Sequence, residues 1–182
     1  MSFKEEKILI AGFGGQGIMF LGKILALSAV EEGRRITFLR SYGAEMRGGT
    51  ANCMLRISNR EIASPVFEKA TLAFIMNQPS WEKFKERIEE GGFLFLNSSL
   101  IKKEIRKNKI KVRRAPLNEL ALKAGSLKTA NIVGLGFLLK EAPIVKLSTI
   151  REVLKKTFKN NSQLLKLNLT ALSLGVSYES KD

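Results

Sequence analysis

Gly12, Gly14 and Gly17 stand in the spacing G-x-G-x-x-G inside "GFGGQG", directly behind the apolar run "KILIA". Between a strand and a helix that pattern can cradle an anion. Glycine permits the tight turn, bare main chain lets a ligand approach, and the first helical turn offers free N–H groups with partial positive charge. Gly15 makes the loop barer still, which favours close approach to the backbone around Gln16 over mere turning. On these residues alone three readings stay open: a dinucleotide pyrophosphate, another anion or partner contact, and a structural turn. The dinucleotide reading lacks its second half. An Asp or Glu about 20 residues on should close the second strand and bond the ribose hydroxyls, whereas here the strand ends in Arg40 and Ser41. Arg40 suits a 2′-phosphate or another phosphate instead, which keeps a free-standing NADP-dependent reductase as the alternative function.

Much other chemistry is excluded by what the chain lacks. It has no histidine and a single cysteine, Cys53. That removes a His general base, Ser-His-Asp and Cys-His nucleophile systems, His/Cys zinc sites and the four thiolates that normally hold an iron–sulfur cluster. The net charge of +14, from 31 Lys and Arg against 17 Asp and Glu, makes an anionic partner a reasonable expectation. The basic residues are densest in "KKEIRKNKIKVRR" and "KLSTIREVLKKTFK", which also read as ordinary solvated faces. No RNP-type aromatic strand or Cys/His finger accompanies them, so nucleic acid is not expected as a partner.

The elements that must position the glycine loop can be read from periodicity and breakers. "KILIAG" reads as a strand, and "GIMFLGKILALSAVEEG" as a helix stopped by Gly33. "RITFLR" then closes what fits a βαβ unit of a parallel sheet. "TANCMLRIS" alternates as a strand with one buried face, on which Cys53 is a small hydrophobe. "TLAFIM", "FLFLNSS" and "IKVRRAP" are further strands, and "QPSWEKFKERIEEGG" reads as a helix with Trp81 and Phe84 in its packing face. From about residue 117 the chain is mainly helical, with one helix opened by the capping box Thr149-x-x-Glu152. The expected fold is α/β: one three-layer Rossmann-like domain over residues 1–182, with a mostly parallel or mixed central sheet and a helical C-terminal region. No apolar run approaches the roughly 20 residues of a membrane span, and "MSFKEEK" lacks a signal-peptide layout. A cytoplasmic location without membrane contact is expected.

In order along the chain, "GFGGQGIMFLGKILA", "SYGAEMRGGTANC", "MNQPSWEKF", "GGFLFLNSSL", "ANIVGLGFLL" and "LNLTALSLG" resemble the gamma subunit of 2-oxoacid:ferredoxin oxidoreductases, over nearly the whole length. The resemblance implies a complex that oxidatively decarboxylates a 2-oxoacid to an acyl-coenzyme A and reduces ferredoxin. It implies thiamine diphosphate with Mg2+ on the alpha and beta subunits and iron–sulfur clusters on partners, including a ferredoxin-like delta subunit. The gamma chain is then implicated in assembly and in the coenzyme A side of the reaction. Alone it is expected to be inactive, with a homodimer as the form open to the isolated chain. "SYGAEMRGGTANC" and "MNQPS" look closest to the 2-oxoglutarate and branched-chain members, with pyruvate less favoured. On this resemblance Gly12, Gly14, Gly15, Gln16 and Gly17 form the coenzyme or anion cradle. Ser41, Tyr42 and Arg47, with Glu45 between the last two, face the coenzyme phosphates or a partner subunit. Asn131 caps its helix or bridges to the glycine loop, while Asn97 and Asn168 bond backbone. No catalytic or metal residue is assigned to this chain.

Overall fold

The computed structural model describes residues 5–41, 50–105 and 109–180. Six strands form one mixed sheet: β1 (Glu6–Phe13), β2 (Arg35–Ser41), β3 (Thr50–Ser58), β4 (Ala70–Ile75), β5 (Ile88–Asn97) and β6 (Lys111–Ala115), in the order β2-β3-β1-β4-β5-β6. β1, β4, β5 and β6 run parallel, and β3 lies antiparallel to both β1 and β2. The sheet is therefore the mixed α/β arrangement expected, with one correction. β2 runs in the direction of β1 but does not pair with it, because β3 is inserted between them.

An interior strand covered on both sides needs no polar alternation, and β1 shows this. Ile8 and Ile10 enter one core with Cys53, Leu55, Phe74 and Phe95, while Leu9 and Ala11 enter another with Met54, Ala73, Ile75 and Leu96. Hence "KILIA" is apolar throughout. β3 is likewise buried on both faces, not on one as its alternation predicts. The first core is roofed by α1 (Ile18–Glu31), α3 (Leu117–Ala124), α4 (Ala130–Glu141), α5 (Leu147–Thr157) and α6 (Ser162–Ser177). The second is covered by the short α2 (Gln78–Phe84), through Trp81 and Phe84, together with Phe67, Ile101 and Ile105.

Two helix boundaries differ from expectation. The helix read over 78–92 stops at Phe84, and Ile88 already pairs with Ala70. Thr149 does not open α5. The helix begins at Leu147, with the Lys146 N–H donating to Glu32 Oε1 at 2.6 Å. No helix among the described residues is long and apolar enough to cross a membrane.

Candidate functional site: the glycine loop and the strand ends beside it

In an open parallel sheet the carboxyl ends of the strands are where loops leave room for a ligand. Here β1, β4, β5 and β6 end on one edge, and the segments leaving these strands build the site. After β1 the chain turns through Phe13–Gln16, with the Gln16 N–H donating to Phe13 O at 3.2 Å. The Gln16 side chain folds back so that its Oε1 accepts the Phe13 N–H at 2.7 Å. A Cβ on Gly12 would lie 2.8 Å from that oxygen. Gly17 starts α1 in the left-handed region, φ 71°, and its carbonyl accepts from Leu21 N–H at 3.0 Å and from Asn131 Nδ2 at 3.0 Å. Asn131 thus bridges α4 to the glycine loop. Its Oδ1 is buried without a partner among the described residues. Gly14 and Gly15 differ from the other two: a Cβ built on either meets nothing within 4 Å.

After β4 comes Asn77, the N-cap of α2, whose Oδ1 accepts the Ser80 N–H at 2.9 Å and whose Nδ2 donates to Gln16 Oε1 at 2.7 Å. After β5, the Asn97 Oδ1 accepts the N–H groups of Ser99 and Leu117, both at 3.2 Å. Its Nδ2 donates to Met76 O at 3.3 Å and to Asn118 Oδ1 at 3.1 Å. Ser99 Oγ accepts the Asn118 N–H and donates to Glu119, which holds the Glu119 carboxyl below the usual carboxylate range. A cleft of about 200 Å3 opens over these groups, lined by Gly15, Gln16, Met76, Asn118, Leu127, Lys128 and Ala130. Larger hollows lie along α6 and beside β2, away from the glycine loop.

Of the residues named from sequence, Gly12, Gly14, Gly15, Gln16, Gly17 and Asn131 therefore come together. Ser41 ends β2 and pairs in register with Asn52, on the same edge but beyond β3. Tyr42, Glu45 and Arg47 lie outside the described residues. Sequence reasoning missed Asn77, Asn118 and Lys128. The first had a readable signal, since Asn two residues before Pro79 is a common way to start a helix.

The dinucleotide alternative loses its geometric footing here. Its second contact should come from the strand beside β1, but that neighbour is the antiparallel β3, and β2 lies two strand spacings off, roughly 10 Å. Arg40 sits on this outer strand over the Phe38 ring, 5.8 Å from its centroid. A four-thiolate iron–sulfur cluster does not fit the donor set either, since the sequence has one cysteine. The one cysteine is buried beneath α1, and no cluster of three or more His, Cys, Asp or Glu occurs among the described residues.

Burial pushes the Cys53 thiol up to about 12, against 9.0 ordinarily, with Arg40 opposing weakly. A raised thiol pKa favours the folded state below pH 9, and that contribution falls away as pH climbs from 9 towards 12. Iodoacetamide at pH 8 should leave Cys53 unmodified in the folded protein under conditions that alkylate the urea-unfolded chain completely. Equal rates would show that α1 opens freely.

Residues 7–178 match the family model described as pyruvate ferredoxin/flavodoxin oxidoreductase. The chain is similar to the ketoisovalerate oxidoreductase subunit VorA of Methanothermobacter thermautotrophicus, 32% identical over 97% of this chain and 37% of that one. It thus spans little more than a third of that curated relative. Among solved structures, the gamma subunit of a keto/oxoacid ferredoxin oxidoreductase from Geobacter sulfurreducens matches with a TM-score of 0.80 at 24% identity, over 93% of this chain and 95% of that one. The 2-oxoglutarate:ferredoxin oxidoreductase of Magnetococcus marinus, with 2-oxoglutarate, coenzyme A and succinyl-CoA bound, matches with a TM-score of 0.87 at 24% identity, over 99% of this chain and 32% of that one. At these identities the structural likeness speaks to the fold.

Proposed function

The chain belongs to the pyruvate ferredoxin/flavodoxin oxidoreductase family, and from that premise we propose that it is the one-domain gamma subunit of a 2-oxoacid:ferredoxin oxidoreductase complex. It serves assembly with alpha, beta and delta subunits and positions coenzyme A, while the partners carry thiamine diphosphate, Mg2+ and the iron–sulfur clusters. The 2-oxoacid is 2-oxoglutarate or a branched-chain acid, with pyruvate less favoured on the "MNQPS" and "SYGAEMRGGTANC" resemblance; the relatives' names include all three acids. The isolated chain turns nothing over, because neither electron carrier nor carbanion-stabilising cofactor is its own.

One observation carries the coenzyme assignment: Gly14 and Gly15 expose open backbone beside a cleft whose charged side chain is Lys128. The φ of 90° at Gly15 would serve a turn alone, but Gly14 has no positive φ, so it is the bare backbone at Gly14 that the cradle reading explains. The donor set fits a phosphorylated coenzyme. Main-chain N–H groups and an ammonium can hold a diphosphate and fix where the rest of the molecule points.

The test separates turn from cradle at a single position. Gly14 has no positive φ and nothing within 4 Å of its virtual Cβ, so Gly14→Val should fold with an unchanged melting temperature. In the reconstituted complex it should raise the coenzyme A concentration needed for half-maximal ferredoxin reduction by about tenfold or more, as expected for losing one hydrogen bond to a charged group. A complex with normal coenzyme A dependence would make the loop structural.

A further inference from the structure

The geometry points to the cleft beneath the glycine loop as a donor-only site for a phosphate-type oxyanion, with Asn77 and Asn97 as positioning residues that hold its amides donor-outward. This deepens the coenzyme A reading and names which part of such a molecule the cleft takes.

Main-chain groups of fixed polarity decide which way each amide faces. A side-chain amide can be turned over to suit its neighbours, but a backbone N–H can only donate and a carbonyl can only accept. Gln16 Oε1 faces the Phe13 N–H, so its oxygen end is turned away from the cleft. Asn77 has its Oδ1 pinned by the Ser80 N–H, so it can meet Gln16 only through its amino group. Along the next strand, Asn97 has its Oδ1 pinned by the N–H groups of Ser99 and Leu117, and its Nδ2 meets Met76 O. That same Nδ2 therefore reaches Asn118 at its Oδ1. Asn77 and Asn97 are 3% and 0% exposed, so water does not compete for these bonds.

The consequence falls on the two amides that line the cleft. Gln16 and Asn118 each have the oxygen occupied from behind, and each has an amino group with no partner among the described residues. The third polar side chain of the lining is the Lys128 ammonium, and Gly15 adds main chain. Every polar side chain that meets the cleft thus donates. The lining side chains offer no acceptor to a cation or a neutral donor, whereas an oxyanion finds two side-chain amino groups and one positive charge. Size selects further. At about 200 Å3 the cleft is smaller than the pockets that take whole drug-sized molecules, and suits one phosphate or diphosphate of a longer ligand. Glu119, the nearest acid on α3, is not in the lining and is tied to Ser99.

The test uses the full chain and inorganic pyrophosphate, followed by calorimetry and by the side-chain NH2 resonances of Gln16 and Asn118. Both resonances should shift saturably with the wild type. Asn118→Asp keeps an acceptor for Asn97 and changes only the outward amino group, at an early helical position that tolerates an acid. It should weaken pyrophosphate by about tenfold or more. Asn77→Asp retains the α2 cap but sets a carboxylate oxygen against Gln16 Oε1, which the Phe13 N–H still requires, so the Gln16 amide is driven out of its position. The Gln16 resonance should then cease to respond, and affinity should fall by a similar factor. Gln78→Glu adds the same charge one residue away, on a half-buried side chain that faces Glu82 and is not part of the cleft lining, and should change affinity by less than about twofold. Unchanged binding in Asn118→Asp, an equal loss in Gln78→Glu, or no saturable binding to the wild type would overturn the site. Succinate binding as tightly as pyrophosphate would overturn its assignment to phosphate. Pyrophosphate binding lost in Asn118→Asp while coenzyme A dependence of the complex stays normal would leave this site standing and remove the coenzyme reading.

Discussion

Replacing Gly17 by alanine will destabilise the protein by about 2 to 4 kcal/mol, read as a shift of the urea midpoint with unchanged slope. Two costs combine. The residue sits at φ 71°, in the left-handed region where an L side chain pays about 1 to 2 kcal/mol. A Cβ there would also press directly on Asn131 Nδ2 and come within 2.8 Å of its Cγ. Crowding of that kind costs about 1 to 3 kcal/mol, and a smaller gain from stiffening the unfolded chain offsets little of it. Asn131→Ala alone should cost only about 1 kcal/mol, since it deletes one bond to Gly17 O together with the unpartnered Oδ1. The double variant separates the causes. With the Asn131 amide gone the crowding is relieved, so the double loss should be clearly smaller than the sum of the singles, leaving the backbone strain. Strict additivity would show that the two residues do not press on one another.

That pair also shows what could be read ahead of the structure. The glycine fingerprint and the strand and helix around it are local, so "KILIAG", "GFGGQG" and "GIMFLGKILALSAVEEG" identify β1, the turn and α1 correctly. The bridge from Asn131 joins residues 114 positions apart, yet an Asn at a helix start beside a glycine loop was a fair guess because short amides serve as caps and bridges. The insertion of β3 between β1 and β2 had no local signature. Strand order is decided by which pairing buries both faces, and "RITFLR" would read the same beside either neighbour. The overlong helix at 78–92 failed for a related reason. Ile88–Gly92 is strand because Ala70 pairs with Ile88 and because Gly92 lets the Thr71 carbonyl approach. Neither contact is visible within the segment, whose Lys and Glu content favours a helix. The amide relay through Asn77, Asn97 and Asn118 was hidden most fully. Each residue is ordinary where it stands, and the sheet alone brings the ends of β4 and β5 beside β1.

The helical layer must then hold α4 still, because α4 carries Ala130 and Asn131 against the loop. Gly175→Ala should test that, with a net loss of about 2 kcal/mol and weaker pyrophosphate binding well below the melting temperature. α6 packs on α4 with main chain against main chain. A Cβ on Gly175 would meet Val133 O directly and lie 2.9 Å from Phe137 N, while the facing Gly136 lies against Leu172 O. These are backbone atoms inside helices and cannot swing aside, so the helices must part. Overpacking of this kind costs up to about 3 kcal/mol, and the better helix propensity of alanine returns about 1 kcal/mol. The balance falls on the destabilising side. Separation of α4 from α6 moves the start of α4, which stretches the 3.0 Å bond from Asn131 to Gly17 O and displaces Ala130 at the cleft wall. Ser173→Ala on the exposed side of α6 is the control: it should gain a few tenths of a kcal/mol by propensity alone and leave binding untouched. If Gly175→Ala instead matches Ser173→Ala in both stability and pyrophosphate affinity, the α4–α6 contact has slack, and the cleft does not depend on it.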